Sequence, residues 1–310
     1  MLEAVELRKV FKGKTAVDHV SLYLDEGESV GLLGPNGAGK STTISLISSL
    51  LAPSSGDVRL NGNSVIAKPQ QLREVIGVVP QEIALYEALS AYENLKFFGR
   101  IYRLQGKQLE MKIQELLEVI GLRDRQKELI KTYSGGMKRR VNIAAALMHD
   151  PKFVIMDEPT VGIDPQSRNH ILETVRLLNR EKGTTVLYTS HYMEEVEQLC
   201  SRVYIMDHGR IIAAGTTEEL RRILSGEDTL LLQLDKPDEK LAQELRELEP
   251  VRQVEEMDSG LKLIVTKQSH LLSEVVQAAE RHRVQIINIH VQTPTLEDVF
   301  LHLTGRTLRD

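Results

Sequence analysis

The chain has 310 residues, 41% of them hydrophobic and 27% charged, the balance of a soluble globular protein with room for one large domain or two ordinary ones. A formal net charge of −5 excludes any general electrostatic pull toward nucleic acid or anionic lipid. The single cysteine, Cys200, excludes an internal disulfide and reads as an ordinary thiol in a reducing compartment.

The opening MLEAVELRKVFKG is strand-like and has no apolar segment of the kind a signal peptide needs. The most apolar stretches are interrupted by Gly, Pro, Ser or charge well short of a membrane span, so the expected location is cytosolic or peripheral. Over roughly the first 224 residues short apolar runs alternate with helical patterns, which predicts an α/β domain. SVGLL (29–33) reads as a buried strand and Ser41 to Leu51 as a helix. Ile76 to Val79 is a further short strand. In a helical insert over about 82–132, Leu109, Ile113, Leu116, Leu117 and Ile120 keep a 3.6-residue spacing, and Gly121 stands at the helix end. Strands resume at FVIM (153–156) and TTVLYTS (184–190), and VYIMDHGRII (203–212) reads as a hairpin turning at Asp-His-Gly. SGED (225–228) is a polar break. Beyond it the order strand, helix, strand, strand, helix, strand predicts a small ferredoxin-like α+β domain over 229–310, closed by an amphipathic helix carrying Leu296, Val299, Phe300 and Leu303.

GPNGAGKST fits G-x-x-x-x-G-K-[ST] and lies between a strand and a helix, the context that motif requires. Gly34, Pro35, Asn36, Gly37, Ala38 and Gly39 form a loop whose backbone N–H groups can turn inward around phosphate oxygens. Lys40 brings a point charge for the β- and γ-phosphates, Ser41 a hydroxyl for Mg²⁺, and Thr42 a further phosphate contact. The plain alternative is a Gly-rich turn that binds nothing. In FVIMDEP (153–159) a strand ends in two carboxylates: Asp157 suits Mg²⁺ and Glu158 an attacking water, against the alternative of a solvated acidic turn. TYSGGMKRR (132–140) sets Ser134, Gly135 and Gly136 before a helical run and crowds Lys138, Arg139 and Arg140 into its first turn. Cations there oppose the helix macrodipole, an arrangement that makes sense if an anion docks at that point. A capped surface helix with a solvated basic face is the alternative.

In this order, with Gln81 in VVPQE, Asp164 in VGIDP and His191 in YTSH, these motifs resemble the ATP-binding subunits of ABC transporters across the whole first domain, 1–224. The resemblance implies a P-loop ABC-type ATPase with cofactors ATP and Mg²⁺ and two copies pairing head to tail, so that Ser134, Gly135 and Gly136 of one copy face the γ-phosphate held by the other. By position Gln81 resembles the residue reaching Mg²⁺ and the attacking water, and His191 the switch histidine on the γ-phosphate. Asp164 resembles the residue crossing the dimer interface, and Phe11 the aromatic that stacks on adenine. By themselves these four also read as a polar residue after a turn proline, a structural histidine, an Asp-Pro turn and a core phenylalanine. Tyr133, Met137 and the segment TVGID depart mildly from the family's usual residues, and Ser134, both glycines, Glu158 and His191 remain.

YSGGMKRR, YENLKFFGRIYRL (92–104) and TPTLEDVFLHLTGR (293–306) are most similar to the type-2 exporter branch that includes daunorubicin-resistance-like drug exporters. That likeness implies an integral membrane permease as partner, a second ATP-binding subunit identical to the first, no nucleic acid, and a peripheral location on the cytoplasmic face of the membrane. By itself TPTLEDVF is best read as an N-capped helix closing the small domain. The alternative function is a soluble ABC-type ATPase acting on ribosomes or DNA. Such proteins usually carry two ATPase domains or a coiled-coil insertion, whereas one phosphate loop and no long heptad segment occur here. A GTPase is disfavoured because no Asn-Lys-x-Asp motif is present.

Overall fold

The computed structural model describes residues 1–224, 227–236, 238–257, 259–266, 271–292 and 295–305. The chain begins with a hairpin of β1 (Leu2–Phe11) and β2 (Lys14–Leu24), turned at Lys12 and Gly13 with φ of 44° and 84°. Positive φ at both central residues matches the right-handed strand twist. Along β2 the buried Val20, Leu22 and Leu24 alternate with the exposed Ser21 and Tyr23, the signature of a strand with one face on a core. β3 (Ser29–Leu33) follows, buried at all five positions, and then α1 (Lys40–Ile47). β4 (Ser55–Leu60) and β5 (Asn63–Ser64) complete an antiparallel sheet in the order β2-β1-β4-β5, which the sequence patterns did not predict. Three register shifts between β1 and β2 blur the alternation that would have announced it.

α1 ends four residues earlier than its apolar pattern predicts. The Ser48 hydroxyl donates to the Ile44 carbonyl at 2.8 Å, and Ser49 takes φ of 55°. The N–H groups of Leu50 and Leu51 both fold back to the Ser45 carbonyl at 2.9 Å, which stops the helical ladder.

α2 (Gln70–Arg73) leads into β6 (Ile76–Val79). The insert holds α3 (Ala91–Ile101), opened by a reciprocal Ser90–Glu93 capping box, and α4 (Gly106–Val119). Leu109, Ile113, Leu116, Leu117 and Ile120 are all buried, and Gly121 terminates α4 with φ of 63°. Then come α5 (Gly135–Ala146), β7 (Phe153–Met156), α6 (Pro165–Lys182), β8 (Thr185–Ser190) and α7 (Met193–Leu199). The hairpin of β9 (Arg202–Asp207) and β10 (Arg210–Thr216) closes the second sheet, ordered β10-β9-β3-β8-β7-β6. All its neighbours pair in parallel except β10 with β9. The carboxyl ends of β3, β8, β7 and β6 therefore lie side by side, the edge where open parallel sheets bind ligands.

The chain divides into two compact units between Thr217 and Glu218, so that α8 (Thr217–Arg221) begins at the junction. The second unit contains β11 (Glu227–Leu234), α9 (Glu239–Arg246), β12 (Val251–Met257), β13 (Gly260–Thr266), α10 (Leu271–Arg281), β14 (Ile286–Gln292) and α11 (Leu296–Thr304). Its sheet is antiparallel in the order β12-β13-β11-β14, the ferredoxin-like arrangement. Leu230, Leu232 and Leu263 of the sheet share one core with Leu241, Leu245 and Val275 of the helices. In TPTLEDVF, Thr295 caps α11 through a box with Asp298 and Phe300 is buried, whereas Thr293 and Pro294, like Ser225 and Gly226 of the polar break, lie outside the described residues.

Leu263 is fully buried on the inner strand β13. Leu263→Ala is expected to destabilise the second unit by about 2–5 kcal/mol through lost burial plus an unfilled cavity. Chemical denaturation followed by circular dichroism checks this.

Candidate functional site

Beyond β3 the backbone turns so tightly that two positions cannot accommodate a side chain. A Cβ at Gly34 would come within 2.4 Å of the Met206 carbonyl, and one at Gly39, where φ is 107°, within 2.6 Å of the Ala16 carbonyl. The β9–β10 turn fastens the loop: the Gly209 N–H donates to the Ala38 carbonyl at 2.9 Å, and the turn is itself held to β2 by the Asp18 N–H, which donates to the Gly209 carbonyl at 2.8 Å. Lys40 is buried in the first turn of α1. Its ammonium donates to the carbonyls of Gly34 and Pro35 at 2.7 and 3.2 Å and lies 3.3 Å from Glu158 Oε1.

The next strand ends bring in the acids. The Asp157 N–H donates to the Val79 carbonyl at the end of β6, and Asp157 Oδ1 accepts a hydrogen bond of 3.0 Å from Thr189 Oγ1. Glu158 takes φ of 47°, and its N–H donates to the same Thr189 hydroxyl at 2.9 Å. A non-glycine residue held there costs about 1–3 kcal/mol, which the bonds from β8 offset. The strained turn points the buried Glu158 carboxylate at three groups. Besides Lys40 on one oxygen, Gln81 Nε2 stands 3.4 Å and His191 Nδ1 3.5 Å from the other. That imidazole nitrogen is buried without a hydrogen-bond partner among the described residues.

Lys40, Gln81 and Glu158 border a cavity of about 530 Å³, whereas Asp157 and His191 are not among its lining residues. Asn36, Gly37, Gly39, Lys40, Ser41 and Thr42 form one wall, Gln81 and Glu158 another, and Phe11, 45% exposed, stands at the rim rather than in the core. Gly34, Pro35 and Ala38 are buried beneath. The sequence reading missed Lys14, Thr15 and Ala16 of β2 and His208 and Gly209 of the β9–β10 turn, which line the opposite side. The hairpin itself was legible; that its turn docks on the loop was not. The hydroxyl of Ser41, the amide of Gln81 and the carboxylate of Asp157 are hard oxygen donors that fit Mg²⁺. Among the described residues no cluster of three or more His, Cys, Asp or Glu side chains could hold a metal alone, so phosphate and water oxygens would have to complete its shell.

Ser134, Gly135, Gly136 and Asp164 do not line this cavity. They form a second cluster. Ser134 caps α5, its hydroxyl accepting from the Met137 N–H at 3.3 Å. Asp164 caps α6, and the backbone N–H of Ser167, at 2.9 Å, holds its carboxyl below the usual range. A Cβ at Gly136 would come within 2.1 Å of Ser167 Oγ and 3.2 Å of Asp164 Oδ2, so glycine lets the two helix starts meet.

Each of the three cations has an acceptor within the fold, which accounts for their placement without a bound anion. Lys138 pairs with Glu87, Arg140 donates to the Ile120 carbonyl at 2.8 Å, and Arg139 is buried, donating to the carbonyls of Pro80 (2.7 Å) and Gln81. Burial pushes the Arg139 guanidinium down from its usual range, and the nearby Asp157 charge opposes that. Arg139 thereby ties α5 to the Gln81 segment, a link no local pattern discloses.

Residues 17–161 match the family described as ABC transporter, and residues 215–304 match the ATP-binding protein DrrA1-3-like C-terminal domain. The chain is 49% identical to the linearmycin resistance ATP-binding protein LnrL of Bacillus subtilis (strain 168), with 100% of both chains covered. It is 37% identical to the daunorubicin resistance ATP-binding protein DrrA3 of Streptomyces coeruleorubidus, over 96% of this chain and 93% of that protein. Among solved structures, a dimeric ATP-binding cassette in a post-hydrolysis state bound to ADP and Pi aligns with a TM-score of 0.64 and 28% identity, covering 70% of this chain and 98% of the cassette.

Arg139→Lys keeps a charge but cannot span both carbonyls. It is expected to lower ATP turnover about tenfold, or about 1.4 kcal/mol, by loosening Gln81, with nucleotide affinity within about twofold. Steady-state hydrolysis alongside equilibrium nucleotide binding checks both halves.

Proposed function

The chain belongs to the ABC transporter ATP-binding family, and from that premise we propose that it is the motor subunit of a drug or antibiotic exporter, working as two identical copies under a separate membrane permease. It is an ATPase with ATP as its nucleotide. The resistance function named for its full-length relatives supports the exporter assignment. The observation that carries the paired mechanism is the division of the site: Ser134, Gly135, Gly136 and Asp164 gather away from the cavity formed by the phosphate loop. In a head-to-tail pair, each cavity is completed by the other copy's α5 N-terminus, whose first-turn N–H groups and Ser134 hydroxyl suit a γ-phosphate.

Phe11 stacks on adenine. The loop N–H groups, Lys40 and Thr42 bind the phosphates, and the phosphate oxygens compete with Glu158 for the Lys40 ammonium. Ser41, Gln81 and Asp157 would hold Mg²⁺, which neutralises phosphate charge when bound. Glu158 accepts the proton of the attacking water, Gln81 orients that water, His191 holds the γ-phosphate, and Asp164 crosses between the copies. Because ATP binds the closed pair better than the open one, binding shifts the population toward closure, and hydrolysis reverses it.

The insert, about 82–132, is the proposed grip on the permease. A cavity of about 720 Å³ beside it is lined by Phe98, Ile101, Tyr102 and Leu50, with Arg73 and Glu74. Its apolar floor and charged edge suit an amphipathic cytoplasmic helix. Arg139, bonded to both Pro80 and Gln81 carbonyls, relates that region to the hydrolytic site. The proposed place is the cytoplasmic face of the membrane, through the permease; no helix among the described residues is long and apolar enough to cross a membrane.

Glu158→Gln is expected to lower turnover by about 10²–10⁴-fold while still binding ATP, and to sediment as a dimer in saturating Mg-ATP. Tagged Glu158→Gln recovered from detergent-solubilised cells with Mg-ATP should retain a polytopic membrane protein. Recovery of ribosomes or DNA complexes with no membrane chain would sink the exporter reading.

A further inference from the structure

Glu195, in the first turn of α7, is 1% exposed and lies outside the motifs that mark the site. Burying a carboxylate is unfavourable unless it is fully hydrogen-bonded. Here three hydroxyls converge on Oε2: Thr160 Oγ1 at 2.9 Å, Tyr188 OH at 2.9 Å and Ser190 Oγ at 2.7 Å. Arg168 Nε donates to Oε1 at 2.6 Å. Burial and the neighbouring carboxylate push the Tyr188 phenol well above its ordinary value, which keeps it a donor.

The donors are spaced along the chain in a telling way. Thr160 stands two residues after Glu158. Ser190 stands immediately before His191, and its hydroxyl also accepts the Tyr192 N–H at 2.9 Å, closing the turn that presents the histidine. Arg168 lies one turn into α6, its N–H bonded to the Asp164 carbonyl at 2.9 Å. The Arg168 guanidinium also stacks 4.3 Å over the Tyr192 ring, which packs 4.3 Å from the His191 ring. One carboxylate thus joins the segments that carry Glu158, His191 and Asp164. None of its bonds reaches the phosphate loop.

We infer that Glu195 is a positioning residue for hydrolysis, fixing the Glu158–His191 pair relative to the Asp164–Gly136 cluster so that both halves of the divided site move together. The inference rests on the roles assigned above to Glu158, His191 and Asp164. A network of this kind acts on the geometry of the transition state and not on nucleotide capture, because capture belongs to the phosphate loop.

The test is steady-state ATP turnover and equilibrium binding of a fluorescent ATP analogue, measured on the purified full chain for wild type, Glu195→Gln, Thr160→Val and Glu158→Gln. Glu195→Gln is nearly isosteric but loses the charge facing Arg168 and one acceptor. The expected result is kcat lowered about tenfold with KM and analogue affinity within about twofold. Thr160→Val, which removes one hydroxyl at constant shape, is expected to lower kcat about threefold with the same unchanged binding, and it decides the matter if Glu195→Gln does not fold. Folded variants with wild-type kcat overturn the inference. So does a loss of affinity equal to the loss of turnover, the mark of a merely structural role. Wild-type turnover by Glu158→Gln would instead remove the site reading itself, which separates the two failures.

Discussion

The Glu158 carboxylate is where the ends of adjacent parallel strands meet, and the first unit depends on that meeting. Lys40 reaches it from the first turn of α1, beyond the phosphate loop that follows β3, Gln81 from the end of β6, and His191 from the end of β8, while Glu158 itself leaves β7 in a left-handed turn. A carboxylate this buried requires compensation, and each group that faces it is one to which the proposed mechanism gives a role. Parallel pairing makes the convergence possible, because it sets all the outgoing loops on one edge of the sheet. Close packing explains the glycines at 34 and 39, where a Cβ would strike the backbone of β9, the parallel neighbour of β3, and of β2 in the antiparallel sheet.

Around that centre the polar network extends in layers. Thr189 carries Asp157 and the Glu158 N–H on one hydroxyl, and Glu195 gathers the segments on either side. Arg139 reaches from α5 to the carbonyls of Pro80 and Gln81. Each device replaces water on a buried polar group with a fixed partner, so a shift in one loop is felt in the next. A hydrolytic site assembled from separate loops needs such ties, since no single element holds the geometry.

Much of the architecture was legible locally. β3 and β7 are continuous apolar runs because parallel strands are covered on both faces, and both lie where the runs predict. The spacing of Leu109, Ile113 and Leu116 gave away α4, and the strand and helix order of the second unit predicted its four-stranded sheet. Local pattern failed where distant groups decide. The first antiparallel sheet pairs β1 with β4 some fifty residues on, through bulges that erase the alternation. The end of α1 depends on one serine adopting positive φ.

The sequence by itself determined which chemistry the protein can do. The phosphate loop announces itself by its own residue spacing between a strand and a helix, while the acidic pair, Gln81, Ser134–Gly136 and His191 are picked out by their resemblance to one family. The tertiary structure alone decided how those groups are divided and tied. It placed Phe11 at the rim of the cavity, set Gly136 against Asp164 away from the phosphate loop, and gave Lys138, Arg139 and Arg140 acceptors at Glu87, Pro80 and Ile120. The physical reason is that a charge takes whatever acceptor folding brings beside it. Those acceptors lie 20 to 59 residues away along the chain, beyond the reach of any local pattern.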